Sequence, residues 1–280
     1  MANIRIVTDS TVDLPNEQIE KLNIHVVPLT ITIDGQSYLD RTEITPTEFI
    51  EKMKQSSELP KSSQPSIGRF QEVYDQLADE GYEVISIHLS GKLSGTVRTA
   101  EQAAQLSRAN VTVVDSFFIS LALSFQVCEA AKMAQQGYSK EEIIQRITEI
   151  KENTSLYVVV STLENLVKGG RIGRGRALIG SLLNIKPIAC LEDGEYSPVT
   201  QVRSQSQIIR FLLNEMLKKV AGKAIKGVGI AQADAVDLAM KLKEKVVEHT
   251  GFENVQIVDT TPVISAHTGT GAIGFMFYAE

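Results

Sequence analysis

The feature that most constrains this chain is its alternation of short apolar runs with longer amphipathic stretches. Ile4 to Val7 is largely apolar and ends in Thr8-Asp9-Ser10, which reads as a buried strand running into a loop. Pro15 opens a helix through Leu22, and His25 to Ile33 reads as a further strand. Thr45-Pro46 marks a helix start with proline at the first helical position. Ser56 to Ser66, with Pro60 and Pro65, is too rich in turn residues for regular structure. Helical spacing returns at Ile67–Ala78, Ser94–Leu106 and Phe117–Gln136, separated by strands at Val84–Leu89 and Val111–Val114. Strands alternating with helices of this length predict a parallel sheet covered on both faces, and the pattern holds to about residue 150.

The second half has a different rhythm. A strand at Leu156–Val160 precedes a Gly- and Arg-rich stretch, Lys168–Arg176. Strands at Ile185–Leu191 and Glu195–Val199 are joined at Asp193-Gly194, a strong hairpin signal. Then come a helix over Ser204–Val220, a strand at Gly227–Ala231, a helix over Ala235–His249, a strand at Val255–Asp259 and a final apolar run, Ile273–Tyr278. Helices mixed with hairpins predict an α+β unit with antiparallel or mixed pairing. With 280 residues at roughly 100–200 per domain, the expectation is an α/β protein of two domains, 1–153 with a parallel sheet and 154–280 of α+β type.

Bulk chemistry removes several function classes. A net charge of -6 is the wrong sign for a nucleic-acid face, though it leaves room for a local basic patch. No run reaches the roughly 20 apolar residues of a membrane span, and the N-terminus has no signal-peptide pattern. The two cysteines, Cys128 and Cys190, match no metal-ligand spacing and suit a reducing cytosol. A cytoplasmic protein without a metal or other cofactor is expected. Aromatics are only 6% and tryptophan is absent, so the interior must be mainly aliphatic.

Four polar segments are candidates for chemistry, each with a plain alternative. Ser62-Ser63-Gln64-Pro65-Ser66 either lines a cleft or simply caps the helix from Ile67 through Ser66. Ser90-Gly91-Lys92-Leu93-Ser94-Gly95-Thr96 follows a strand and enters a helix. That is where open α/β sheets bind ligands and where free N–H groups favour an anion. Its residue order is neither a P-loop nor a dinucleotide fingerprint. The stretch from Lys168 to Arg176 is either a solvated basic turn or a docking surface for an acidic or phosphorylated partner. His267, in Thr260–Gly271, is a structural histidine, a donor to an anion or a general base. Among enzyme alternatives, a Ser94–His267 hydrolase with Asp9 as orienting acid rests only on residue types.

Several segments, taken in order, resemble the DegV family. They are Thr8-Asp9-Ser10, Ser63-Gln64-Pro65-Ser66, Ser94-Gly95-Thr96, Asp115-Ser116, Lys168-Gly169-Gly170-Arg171-Ile172-Gly173, Leu183-Asn184-Ile185-Lys186-Pro187-Ile188, and His267-Thr268-Gly269 with Gly271. The resemblance implies a protein that holds a long-chain fatty acid between its two domains and presents the carboxylate to an ATP-binding fatty acid kinase subunit, which makes the acyl-phosphate. It implies Ser62, where the family often has Thr, Ser94 and His267 as carboxylate partners. It places Arg203, Ser63, Gly95 and Thr96 at the pocket mouth and Arg171 and Arg174 in the kinase-docking loop. An acyltransferase and transient membrane contact belong to the same picture; nucleic acid does not. Two hydroxyls, an imidazole and a helix N-terminus are then expected to satisfy the carboxylate without a full counter-charge. The competing expectations are the Ser/His lipid hydrolase and a lipid sensor without a kinase partner.

Overall fold

A computed structural model of the chain describes residues 3–178 and 185–280, without the side chains of 176–178. The Leu183-Asn184 pair noted above lies outside the described residues.

The chain begins with β1 (Ile4–Asp9), α1 (Asn16–Lys21) and β2 (Ile24–Val27). The single strand expected over His25–Ile33 is two strands. Pro28 has no N–H to give to a ladder, and the chain leaves the first sheet there to enter a second one as β3 (Thr30–Ile33). Asp34-Gly35, both at positive φ (50° and 75°), form the two-residue turn suited to a hairpin and return the chain as β4 (Gln36–Leu39). Then α2 (Pro46–Gln55) starts where Thr45-Pro46 predicts, with Thr45 and Glu48 in a capping box. The stretch expected to be irregular contains a short strand, β5 (Lys61–Ser63), paired antiparallel with β3. Pro60 and Pro65 flank this strand without occupying it, so its own N–H groups remain free to pair.

Next come α3 (Ile67–Asp79), β6 (Glu83–His88), α4 (Thr96–Leu106), β7 (Val111–Asp115), α5 (Ser120–Gln135) and α6 (Lys140–Asn153). Strands order β2-β1-β6-β7 and pair in parallel throughout.

The second half contains β8 (Thr154–Val159), α7 (Glu164–Lys168), a 3-10 segment (Gly173–Leu178), β9 (Lys186–Glu192), β10 (Glu195–Val202), α8 (Gln205–Val220), β11 (Ile225–Ala233), α9 (Val236–Thr250), β12 (Val255–Asp259), α10 (Pro262–Thr268) and β13 (Ala272–Ala279). The sheet runs β10-β9-β8-β13-β11-β12. Only β11 and β12 pair in parallel; the other pairs are antiparallel. The fold is therefore α/β, with a parallel N-terminal sheet and a mixed C-terminal one. The turn at Asp193-Gly194 has both residues at positive φ. Thr260–Gly271, read as a loop, contains α10, which starts at a Thr-Pro pair as α2 does.

Two packing arrangements bring the halves together. Helix α5 is apolar on both sides: Leu123 and Val127 join the core of the first sheet, while Leu121 and Ala122 pack with Leu156 and Met276 of the second. Residues of β3 and α2, notably Ile31 and Phe49, pack on Val263 and Ala266 of α10. An N-terminal segment is thus built onto the C-terminal half, and it carries Ser62 with it.

Candidate functional site

A cavity of about 380 Å³ opens between these parts, within the range of small-molecule sites. Half of its lining residues are aliphatic, with Leu29, Leu93, Ile119, Val158, Leu166 and Val263 among them, and its polar groups include Ser62, Ser63, Gln64, Ser94, Arg171 and His267. Among the described residues there is no group of three metal-ligating side chains, and no helix is long and apolar enough to cross a membrane.

The polar wall is assembled from four elements. Ser62, opposite Ile31 in the β3–β5 ladder, places its Oγ 2.7 Å from His267 Nε2. His267 lies in the last turn of α10. Burial, then the nearby charge of Arg171, push its pKa down from 6.5 to about 4, so the imidazole is neutral at pH 7. Arg171, just past α7, donates from Nε to Leu93 O (3.1 Å) and from Nη1 to Gly169 O (2.6 Å). Both acceptors are neutral carbonyls, and no carboxylate of the described residues lies within ion-pair distance of Arg171. Its positive charge is therefore left to the cavity. Arg171, read as part of a docking loop, lines the cavity and brings a cation to the wall where only uncharged donors were expected. Ser94 follows Leu93; its Oγ lies 2.8 Å from Thr96 Oγ1 and accepts from Thr96 N (3.3 Å) at the start of α4.

Backbone close approaches fix these groups. A Cβ on Gly169 would lie 2.4 Å from His267 Nδ1 and 2.8 Å from Asn165 O, so only glycine lets the α7 end approach the imidazole. A Cβ on Gly95 would fall 2.1 Å from Gln64 Oε1. Gln64 in turn donates to Thr99 Oγ1 (2.6 Å), locking the Ser63-Gln64 turn against α4.

The remaining candidates fall elsewhere. Thr96 is buried and Gly95 precedes α4; neither is part of the lining. Arg203 is exposed before α8, its backbone N–H bonded to Gln207, and also stands outside the lining. Arg174 faces solvent amid three carboxylates: Glu192 (2.8 Å), Glu195 (3.3 Å) and Asp193 (3.7 Å). The aliphatic lining itself carried no sequence signal.

Residues 3–280 match the sequence profile of a family described as "Uncharacterised protein, DegV family". The chain belongs to the DegV family. A DegV domain-containing protein of Listeria monocytogenes is 47% identical over the whole of both chains. Among solved structures, a DegV-family protein of Thermus thermophilus described for its fatty acid binding shares 35% identity and a TM-score of 0.94, covering 99% of this chain and 100% of its own. Bacillus subtilis DegV, described as a fatty acid binding protein, shares 31% identity and a TM-score of 0.90, with full coverage of both chains.

The hydrolase expectation lacks its third group. Ser94 and His267 line the same cavity but bond to Thr96 and Ser62, while Asp9 is buried outside the lining and bonds to His88. The imidazole that faces the cavity has a cation beside it where a hydrolase needs an orienting carboxylate.

Proposed function

We propose that this chain binds a long-chain fatty acid, with the acyl chain in the aliphatic part of the cavity and the carboxylate against Ser62, Ser94, His267 and Arg171. The observation that carries the reading is the joining of an apolar cavity to a wall of uncharged donors plus one cation that no carboxylate neutralises. The DegV proteins of Thermus thermophilus and Bacillus subtilis, described as fatty acid binders, share the fold and support it. At about 0.8 kcal/mol per methylene, roughly 14 methylenes contribute on the order of 11 kcal/mol before entropy, comparable with the association penalty of about 4–15 kcal/mol. The head group then supplies the remaining affinity, since hydrogen bonds to a charged group contribute roughly 1.5–3 kcal/mol each.

The finer part of the proposal is that the bound carboxylate is presented to an ATP-binding kinase subunit and leaves as an acyl-phosphate for an acyltransferase, with transient membrane contact during exchange. Its support is that the chain offers a carboxylate cradle but no phosphate-binding loop of its own. Of the two arginines expected to dock the kinase subunit, Arg174 is the one on the outer surface and is proposed as the docking group. Extraction of purified, denatured protein should release a fatty acid, identified by mass spectrometry. A lipid-free protein that also fails to bind added palmitate overturns the proposal. Mixing lipid-loaded protein with the kinase subunit and ATP should consume ATP in proportion to lipid, and an unchanged ATP level removes the kinase half alone.

A further inference from the structure

Helix α10 carries one side of the head-group wall, and its N-terminus is capped from far away in sequence. The N-cap, Thr261, makes no side-chain capping bond. Two buried carboxylates take that part instead. Asp13 accepts from Thr261 N (2.9 Å), Thr260 Oγ1 (2.7 Å) and Ser120 Oγ (2.5 Å). Asp40 Oδ1 accepts from Val263 N (3.3 Å). The residues pair across 248 and 223 positions, so this is a tertiary bond between the N-terminal half and the helix that presents His267.

The cluster is poorly balanced. Asp13 is 4% exposed and Asp40 0%, and the cation that acts on both is Arg41. Arg41 itself is anchored through Nη2 on Leu14 O and Asn16 Oδ1. Asp40 Oδ2, Arg41 Nη1 and Thr261 Oγ1 are buried without a partner among the described residues. A cleft of about 330 Å³, lined by Asp13, Arg41, Asp259 and Thr261 among others, reaches the cluster from outside. Two buried carboxyls near one another, with a single guanidinium nearby that pairs with neither, cannot both ionise cheaply in such a place.

We propose that Asp13 and Asp40, with Arg41, are positioning residues that clasp α10 and, through proton uptake and release on these carboxyls, govern how fast the cavity releases its lipid. The proposal rests on the lipid-binding reading above. Burial, only partly offset by the hydrogen bonds, pushes Asp40 up to about 7 and Asp13 to about 6. A carboxyl raised by burial binds its proton more tightly in the docked state than in one open to water. Docking of α10 is therefore favoured below these values and weakened as pH rises through them. If α10 must lift for lipid to leave, release accelerates between pH 5.5 and 8. A one-unit difference in proton affinity between docked and lifted states corresponds to about a tenfold change.

The test is the dissociation rate of the fluorescent fatty acid cis-parinarate from the full chain across that range, for wild type and Asp40→Asn. The amide retains an acceptor for Val263 N–H but cannot ionise. We expect wild-type release to speed up several-fold to tenfold, and the variant to be flatter and slower at pH 8. Parallel profiles overturn the proposal, because titration of His267 or of the lipid head group is common to both proteins. Hydrogen exchange of the α10 amides in wild type, corrected for intrinsic rate, should show more opening at pH 8 than at pH 6. Equal opening overturns the clasp even if Asp40→Asn does not fold. Absence of parinarate binding at every pH removes the lipid reading, while the exchange measurement still decides on the clasp.

Discussion

Two histidines in this molecule each sit 2.7 Å from a serine hydroxyl, His88 beside Ser86 and His267 beside Ser62. They differ in what lies on the other side of the ring. His88 Nδ1 is 3.1 Å from the Asp9 carboxylate. Asp9 also accepts from Leu89 N (2.9 Å), Thr11 N (3.0 Å) and Thr11 Oγ1 (2.6 Å). In the neutral ring with Nδ1–H donated to the carboxylate, Nε2 accepts from Ser86, whose oxygen is then free for the Tyr74 hydroxyl at 2.7 Å. This acid–histidine–serine array has the order of a hydrolytic triad but is wholly buried, so no substrate reaches it. His267 faces a cavity, has Arg171 as its charged neighbour and is held neutral. The difference teaches that the residue types alone do not assign chemistry. Access and the sign of the neighbouring charge make one array a structural pin and the other a cradle for an anion.

The sharpest way to break this contrast is to remove the carboxylate of the buried array. In Asp9→Ala, Leu89 N and Thr11 N lose their acceptor and His88 its partner, all away from water. We predict a loss of about 3–5 kcal/mol of stability, read from urea unfolding. A loss below about 1 kcal/mol means that water or rearrangement replaces the bonds, and the array is not a pin.

The next effect is a pH dependence on the cavity side. The unfolded imidazole protonates near 6.5, the folded His267 only near 4. The unfolded state therefore binds more protons between those values. Stability from the neutral ring is complete above 6.5 and falls as pH drops towards 4. Asp13 and Asp40 titrate with the opposite sign in an overlapping range, so the comparison must be with His267→Gln. Relative to that variant, wild type should lose on the order of 2–3 kcal/mol on acidification from pH 6.5 to 4. A constant difference between the two proteins shows that His267 is not held neutral by the fold.

Much of this architecture was legible in the sequence because local signals carried it. Thr45-Pro46, Ser66 and Asp193-Gly194 mark caps and a turn by their own chemistry, and the strand–helix alternation specifies the parallel sheet. What escaped depends on tertiary context. β5 is a strand only because β3 offers it an edge, and α10 is too short to show helical periodicity, although its Thr-Pro start was readable. Ser62, Ser94 and His267 were named through family resemblance, and all three line the cavity. Arg171 was assigned to a surface because a Gly- and Arg-rich stretch reads as a solvated loop. Its inward position depends on the Gly169 backbone passing against His267, which no spacing rule reveals.

On the cradle side, single substitutions Ser62→Ala, Ser94→Ala and His267→Ala should each weaken palmitate binding by roughly 1.5–3 kcal/mol, the range for a hydrogen bond to a charged group, with small losses of stability. Equilibrium titration with labelled palmitate reads this. Unchanged affinity in the Ser94→Ala, His267→Ala pair overturns the head-group assignment while leaving the cavity in place. Gly169→Ala belongs to the same series, because its Cβ would displace the His267 ring rather than delete it.

The smallest effect on the fold should come from Arg174, and it separates the two arginines of one loop. Arg174 is about half exposed, and its partners Glu192 and Asp193 are more exposed still. Exposed ion pairs contribute about 0–1 kcal/mol, so Arg174→Glu should leave the melting temperature and palmitate affinity nearly unchanged. The reversal sets a fourth carboxylate among Glu192, Asp193 and Glu195 and turns that patch wholly acidic. If this patch docks the kinase subunit, ATP consumption with lipid-loaded protein should fall sharply while binding persists. Arg171→Glu should instead weaken lipid binding directly, because its charge faces the cavity. Equal losses of lipid affinity in both variants contradict the division of the loop into an inward cation and an outward one.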